Sequence, residues 1–218
     1  MGLWTARLDV DPGRLAELER SLSVDERARA QQLRTAELRD RYVADHGWRR
    51  RLLADRLGCA PAEVAYTVSA HGKDEPAGGR PRFSASRSGG AALYAVSDEA
   101  DLGVDVEEID DGADLAAVVR RLFSPAERAA WESTPPAARL AAGYACWTRK
   151  EAYVKAVGTG LVFPLTELEV WAGDDRPVRY GEIVVLTVDA GPGFAAAVAV
   201  RAAVLESVSL PARPLAMS

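Results

Sequence analysis

The chain offers little from which to build redox, thiolate-metal or histidine-centred chemistry. Its 218 residues include two cysteines, Cys59 and Cys146, and two histidines, His46 and His71. The cysteines have neither metal-ligand nor redox spacing, which leaves them as small core residues of a protein kept in a reducing compartment. Neither histidine falls in a block that looks catalytic. No apolar run approaches the roughly 20 residues needed to span a membrane. Met1-Gly2-Leu3-Trp4 opens no secretory core before Asp9 and Asp11 intervene. A cytoplasmic protein with no membrane partner is the expectation. A basic excess is missing too: the formal net charge is −5, which gives no support to nucleic-acid binding. The Walker-type phosphate loop is also absent, so there is no ready-made nucleotide cradle.

What is present is ordinary globular composition over a length that suits one larger domain or two smaller ones. Positive charge is local, in Arg49-Arg50-Arg51 and in Arg34, Arg39 and Arg41. That run reads as a solvated helix face, or as a patch for a polyanionic small ligand if phosphate chemistry is established elsewhere. Periodicity predicts a strand over 3–10, a helix from Asp11-Pro12, and one long helix from Asp25 to Leu57 ended by Gly58 and Pro61. A strand follows near 63–69, then a loop over 71–81. Residues 82–88 read as strand or extended loop, and strands over 91–96 and 102–107 come next, joined as a hairpin by a turn at 97–101. Helices are expected at 114–122, 124–132 and 136–157, strands at 168–172, 184–188 and 194–200, and a loose tail from Pro211. Helices then strands in each half suggest an α+β fold of two similar halves, 1–100 and 101–218, with a ligand cleft between them.

Two segments carry the chemistry. In Gly103-Val104-Asp105-Val106-Glu107 the two acids are two residues apart on a strand, so their carboxylates share a face. In Trp147–Lys155 the residues Trp147, Glu151 and Lys155 recur every four positions on one helix face. Three carboxylates with a lysine one turn on make a hard-cation site facing a phosphate, suited to Mg²⁺. Each block alone has a plainer reading: a half-exposed strand with a polar face, or a helix-surface ion pair. Trp147 reads as a core anchor, and Glu127 as a first-turn helix residue favoured by the dipole.

Taken together, Gly103–Glu107, Phe123-Ser124-Pro125-Ala126-Glu127, Trp147–Ala152, Lys155 and Gly158-Thr159-Gly160-Leu161 resemble the 4′-phosphopantetheinyl transferases. Upstream, Gly72-Lys73-Asp74-Glu75-Pro76 is similar to the family's Gly-Lys-Pro loop with two residues added. Phe83–Ser88 is similar to its Phe-Asn-x-Ser-His-Ser segment, with Arg87 where histidine is usual. Length and these matches resemble the surfactin-type branch, a monomer of two similar halves. The resemblance implies transfer of the phosphopantetheine arm of coenzyme A to a serine of an apo acyl or peptidyl carrier protein. It implies Mg²⁺, with Mn²⁺ as an alternative, on Asp105, Glu107 and Glu151. Glu151 and Lys155 take the catalytic roles, Glu151 or a metal-bound water as general base and Lys155 on the pyrophosphate. Coenzyme A falls to Arg41, Gly72, Lys73, Pro76, Ser86, Arg87, Lys150 and Lys155, with Arg87 replacing the histidine as a phosphate contact. Phe123, Leu161, Val162, Phe163 and Arg120-Arg121 are candidates for the carrier-protein patch. A silent relative that only binds coenzyme A or a carrier, and an unrelated Mg²⁺-dependent phosphohydrolase, are the alternatives.

Overall fold

The computed structural model describes residues 1–68, 74–158, 163–171, 173, 176–207 and 212–215. The chain opens with strand β1 (Gly2–Arg7) and helices α1 (Pro12–Arg20), α2 (Val24–Gln31) and α3 (Ala36–Leu57). Strands β2 (Tyr66–Val68), β3 (Asp74–Pro76), β4 (Arg82–Ser88), β5 (Ala91–Ser97) and β6 (Leu102–Glu108) follow. Helices α4 (Leu115–Leu122), α5 (Pro125–Ser133) and α6 (Pro136–Val157) precede β7 (Val178–Tyr180), β8 (Ile183–Thr187), β9 (Phe194–Arg201) and β10 (Arg213–Pro214). The fold is mixed α+β, and no helix among the described residues is long and apolar enough to cross a membrane.

Two four-stranded sheets, ordered β10-β1-β5-β4 and β6-β9-β8-β7, form the centre, and β2 pairs only with β3. β5 is buried along its whole length because it faces two cores. Ala92, Tyr94 and Val96 pack with Trp48 and Leu53 of α3. Leu93 and Ala95 instead join Val104, Val106, Val184 and Val198 between the sheets. β9 alternates in the same way, with Ala195, Ala197 and Ala199 toward the α6 core and Ala196, Val198 and Val200 toward the other sheet. The layers are therefore α3, sheet, sheet, α6.

Each half repeats one plan. The first long strand pairs with the last, which pairs with the middle one: β1-β5-β4 and β6-β9-β8. Each half has a 22-residue helix that ends on a glycine in the left-handed region, Gly58 (φ 67°) and Gly158 (φ 74°). Each also has a short helix opened by a capping box, Ser23 with Glu26 and Ser124 with Glu127. The capping glutamates go further. Glu26 pairs with Arg50, which also donates to the carbonyls of Pro61 (2.8 Å) and Val64 (3.0 Å). Glu127 pairs at 2.7 Å with Lys150, which donates to the carbonyls of Leu165 (2.7 Å) and Leu168. Arg50 and Lys150 hold the same position in α3 and α6, and both tie their helix to a short 3-10 turn.

Several expectations are corrected. The helix expected over 25–57 is two helices, because the chain breaks after Gln31 and Thr35 caps a new start by accepting from Leu38 N. The 91–96 and 102–107 strands are not a hairpin: β5 pairs with β1 and β4, β6 pairs with β9, and residues 98–101 cross between sheets. No ladder forms over the described part of 168–172, where Leu168 and Val170 are buried beyond a 3-10 turn. The tail is not loose throughout, since Arg213–Pro214 lie parallel to β1 and Leu215 N donates to Thr5 O at 2.8 Å. Part of the 71–81 loop is strand β3, while 71–73 lie outside the described residues.

Candidate active site

The site sits where the two sheets meet edge to edge, β4 beside β6. No backbone ladder joins these strands; β4 serines do. Val104 N–H donates to Ser84 Oγ (3.1 Å), Ser86 Oγ donates to Asp105 Oδ1 (2.8 Å), and Ser88 Oγ donates to Glu107 Oε2 (2.7 Å). The period of two aims Ser84, Ser86 and Ser88 at β6 and turns Ala85 and Arg87 toward α3. Helix α6 lies against β6 because Gly103 has no side chain. A Cβ there would stand 2.0 Å from the Ala152 carbonyl oxygen and 2.4 Å from Ala156 N. That close approach places Glu151 and Lys155 over the strand acids.

Asp105, Glu107, Glu151, Lys155 and Ser86 line one cavity of about 470 Å³, faced by Val118, Arg121 and Leu122 of α4 and by Trp147. Lys155 Nζ lies 2.6 Å from Asp105 Oδ1 and 3.0 Å from Ser86 Oγ. Burial pushes the Asp105 carboxyl up despite the attraction of Lys155. It raises Glu107 too, against the bond from Ser88 and with repulsion from Asp105. Glu151 is likewise raised by burial and by Asp105, with Lys155, Arg121 and a bond to Trp147 pulling the other way. Three acids held in one desolvated space repel, and each prefers a proton or a cation beside it. Asp105 Oδ2 is buried with no hydrogen-bond partner. Among the described residues no three acids, cysteines or histidines are gathered closely enough to hold an ion as they stand.

The remaining expected residues lie elsewhere. Lys150 is fully buried and its ammonium faces Glu127 and two carbonyls, so the coenzyme-binding assignment is corrected to a structural one. Arg41 bonds to Asp9 (2.7 Å) and Glu37 (2.7 Å). Arg87 lies against Asp45 on the α3 side of β4 and does not line the cavity. Pro76 is buried in β3, and Gly72 and Lys73 lie outside the described residues. Of the carrier-patch candidates, Phe123 is fully buried core, Phe163 packs partly buried on Tyr153, and Leu161 and Val162 are outside the described residues. Arg121 faces the cavity, while Arg120 pairs with Asp114.

Trp147 is a half-buried cavity wall as well as a core contact, which corrects its reading as an anchor alone. Ser88 and Asp45 were missed. Ser88 had a signal, the alternation of Ser84, Ser86 and Ser88; Asp45 had none.

Comparison with known proteins adds a family. Residues 101–184 match the model of the 4′-phosphopantetheinyl transferase superfamily, a span containing Asp105, Glu107, Glu151 and Lys155. The chain is 33% identical over 181 residues to the 4′-phosphopantetheinyl transferase HetI of Nostoc sp. strain PCC 7120, covering 81% of this chain and 76% of the relative. It is 30% identical over 174 residues to a 4′-phosphopantetheinyl transferase of Bacillus subtilis, covering 74% and 76% respectively. The match to AcpT of Salmonella typhi is shorter, 35% over 109 residues, half of this chain.

Proposed function

The chain belongs to the 4′-phosphopantetheinyl transferase superfamily, and from that membership we infer that it moves the phosphopantetheine arm of coenzyme A onto a serine hydroxyl of an apo carrier protein. Adenosine 3′,5′-bisphosphate is the other product. One observation carries the site: Asp105, Glu107, Glu151 and Lys155, drawn from both segments of the motif, line a single cavity at the seam between the sheets.

The donor set fits Mg²⁺. All three candidate ligands are carboxylates, and Asp105 Oδ2, buried without a hydrogen-bond partner, is an oxygen that a hard cation would satisfy. When bound, the ion supplies Lewis-acid neutralisation of the pyrophosphate charge, and Mn²⁺ shares the same oxygen preference. The residues do the rest. Serine oxygen attacks the β-phosphorus as the bond to the α-phosphate oxygen breaks. Glu151, its carboxyl raised by burial, accepts the serine proton. Lys155 leaves Asp105 for the departing α-phosphate and meets its growing charge. Ser86 and Ser88 hold the strand acids in place. Arg87, with its exposed edge, takes a phosphate of coenzyme A more readily than Arg41, whose nitrogens already face Asp9 and Glu37. Gly72, Lys73 and Pro76 are assigned to coenzyme A on their resemblance to the family's Gly-Lys-Pro loop alone.

Two similar halves in one chain support the surfactin-type branch and a monomer; placement in the cytoplasm goes with the family reading. The test is the intact mass of an apo carrier protein incubated with this protein, coenzyme A and Mg²⁺. The expected result is a gain of one phosphopantetheinyl group, abolished by EDTA and by Glu151→Ala. A folded protein that binds coenzyme A yet modifies no acyl or peptidyl carrier would instead be a silent relative. Hydrolysis without transfer would make it a phosphohydrolase.

A further inference from the structure

Asp45 is a heavily engaged carboxylate that the proposed chemistry leaves unused. It is fully buried in the middle of α3. Arg49, one turn on, grips both its oxygens at 2.8 and 2.6 Å, and Tyr94 OH donates to Oδ1 at 2.9 Å. Those contacts already satisfy it: a guanidinium fork neutralises the charge, and a hydroxyl takes another lone pair. A second cation nevertheless leans on it. Arg87 Nε, from the middle of the seam strand β4, lies 3.3 Å from Oδ2.

The sharing has two physical consequences. Two guanidiniums beside one carboxylate leave one positive charge uncompensated, and among the described residues no second carboxylate pairs with either. The Arg87 side chain remains 45% exposed while its Nε sits beside the buried carboxylate. An arginine on an exposed strand position otherwise samples many rotamers and loses that freedom on binding a ligand. Here the buried carboxylate fixes the root of the fork beforehand. The residues on either side of Arg87, Ser86 and Ser88, hold Asp105 and Glu107, so the fork is indexed to the acids of the cavity.

We propose that Asp45 is a positioning residue: by holding Arg87 through Nε it aims the free edge of that guanidinium at a phosphate group of the substrate. The inference rests on the coenzyme A reading above. The phosphate is either the ribose 3′-monoester or the pyrophosphate, and coenzyme A lacking the 3′-phosphate separates them. The ion pair of Arg87 with Asp45 competes little with a ligand phosphate, because that carboxylate is already neutralised by Arg49.

The experiment measures carrier modification against coenzyme A concentration for wild type, Asp45→Asn, Arg87→Ala and the double variant, with thermal melts of each. Asp45→Asn and Arg87→Ala should each raise KM for coenzyme A about three- to tenfold with kcat within twofold. The double variant should be no worse than Arg87→Ala alone, because one residue acts through the other. If the 3′-phosphate is the target, the variants and wild type converge on the substrate lacking it; if the pyrophosphate is, the difference persists. Effects that multiply independently, or an Arg87→Ala protein with unchanged KM, overturn the proposal. If Asp45→Asn fails to fold, Arg87→Lys decides: a single ammonium cannot both meet Asp45 and present a fork, so KM should rise as in Arg87→Ala, and a wild-type KM refutes the positioning role. A wild type that transfers nothing sinks the coenzyme A reading itself, which is a separate outcome.

Discussion

Glu26 has the clearest pH signature among single residues. Burial would raise its carboxyl, but bonds from His46, Arg50 and the Ser23 backbone outweigh that and lower it from 4.5 to about 2. A depressed acid contributes stability above its unfolded pKa and loses it as pH falls through the folded value. Glu26 therefore helps fully above about pH 4.5 and stops helping near pH 2. Urea denaturation should show Glu26→Gln less stable at pH 7 by about 2–4 kcal/mol, since buried Arg50 loses its partner. The gap should close between pH 4.5 and 2; equal gaps at pH 7 and pH 2.5 would contradict this. The same scale shows why the shared face of Glu151 and Lys155 was legible and the burial of Lys150 was not. Helical spacing groups Trp147, Glu151 and Lys155 on one face, so their convergence is legible. The fate of Lys150 depends on Glu127 and on the carbonyls of Leu165 and Leu168, and nothing in the spacing reveals that those partners wait behind the helix.

At the scale of elements, the pairing of α6 with β6 decides the site. Gly103→Ala would drive a methyl group into backbone atoms of α6, which cannot yield as a flexible side chain could. We expect a loss of about 1–3 kcal/mol, the usual effect of overpacking. Transfer should fall further than the melt alone explains, because Glu151 and Lys155 move with the helix. A Gly103→Ala protein with wild-type melting and activity would show that the helix sits less tightly than drawn. Apart from the break between α2 and α3, the helices were legible because their periodicity and caps are local; α6 matches its expected bounds, 136–157. Strand pairing was not. The polar residues at 97–101 suit a tight hairpin and a crossing between sheets equally well, and burial of β5 on both faces removes the alternation that would have distinguished them.

At the scale of the molecule, the N-terminal sheet is completed by a segment from the far end of the chain. β10 covers the outer edge of β1, with Trp4 opposite Arg213 and Thr5 opposite Pro214. Deleting 212–218 should expose that edge, lower Tm by about 2–4 °C for each kcal/mol lost, and promote self-association. Scanning fluorimetry with light scattering measures both, and an unchanged Tm would mean that β10 contributes no stability. The general α+β plan was readable from the order of elements, whereas this closure was not, because two residues carry no periodic signal. The lock found in both halves separates the frame from the site. Glu26–Arg50 and Glu127–Lys150 occupy equivalent places, but the positions of Glu151 and Lys155 are taken in α3 by Arg51, which bonds Ser21 and the Glu17 carbonyl, and by Asp55. The brace that holds a long helix to its turn is thus present on both sides of the molecule, whereas the acids stand on one only: the same frame is purely structural around α3 and steadies a cavity-lining helix at α6.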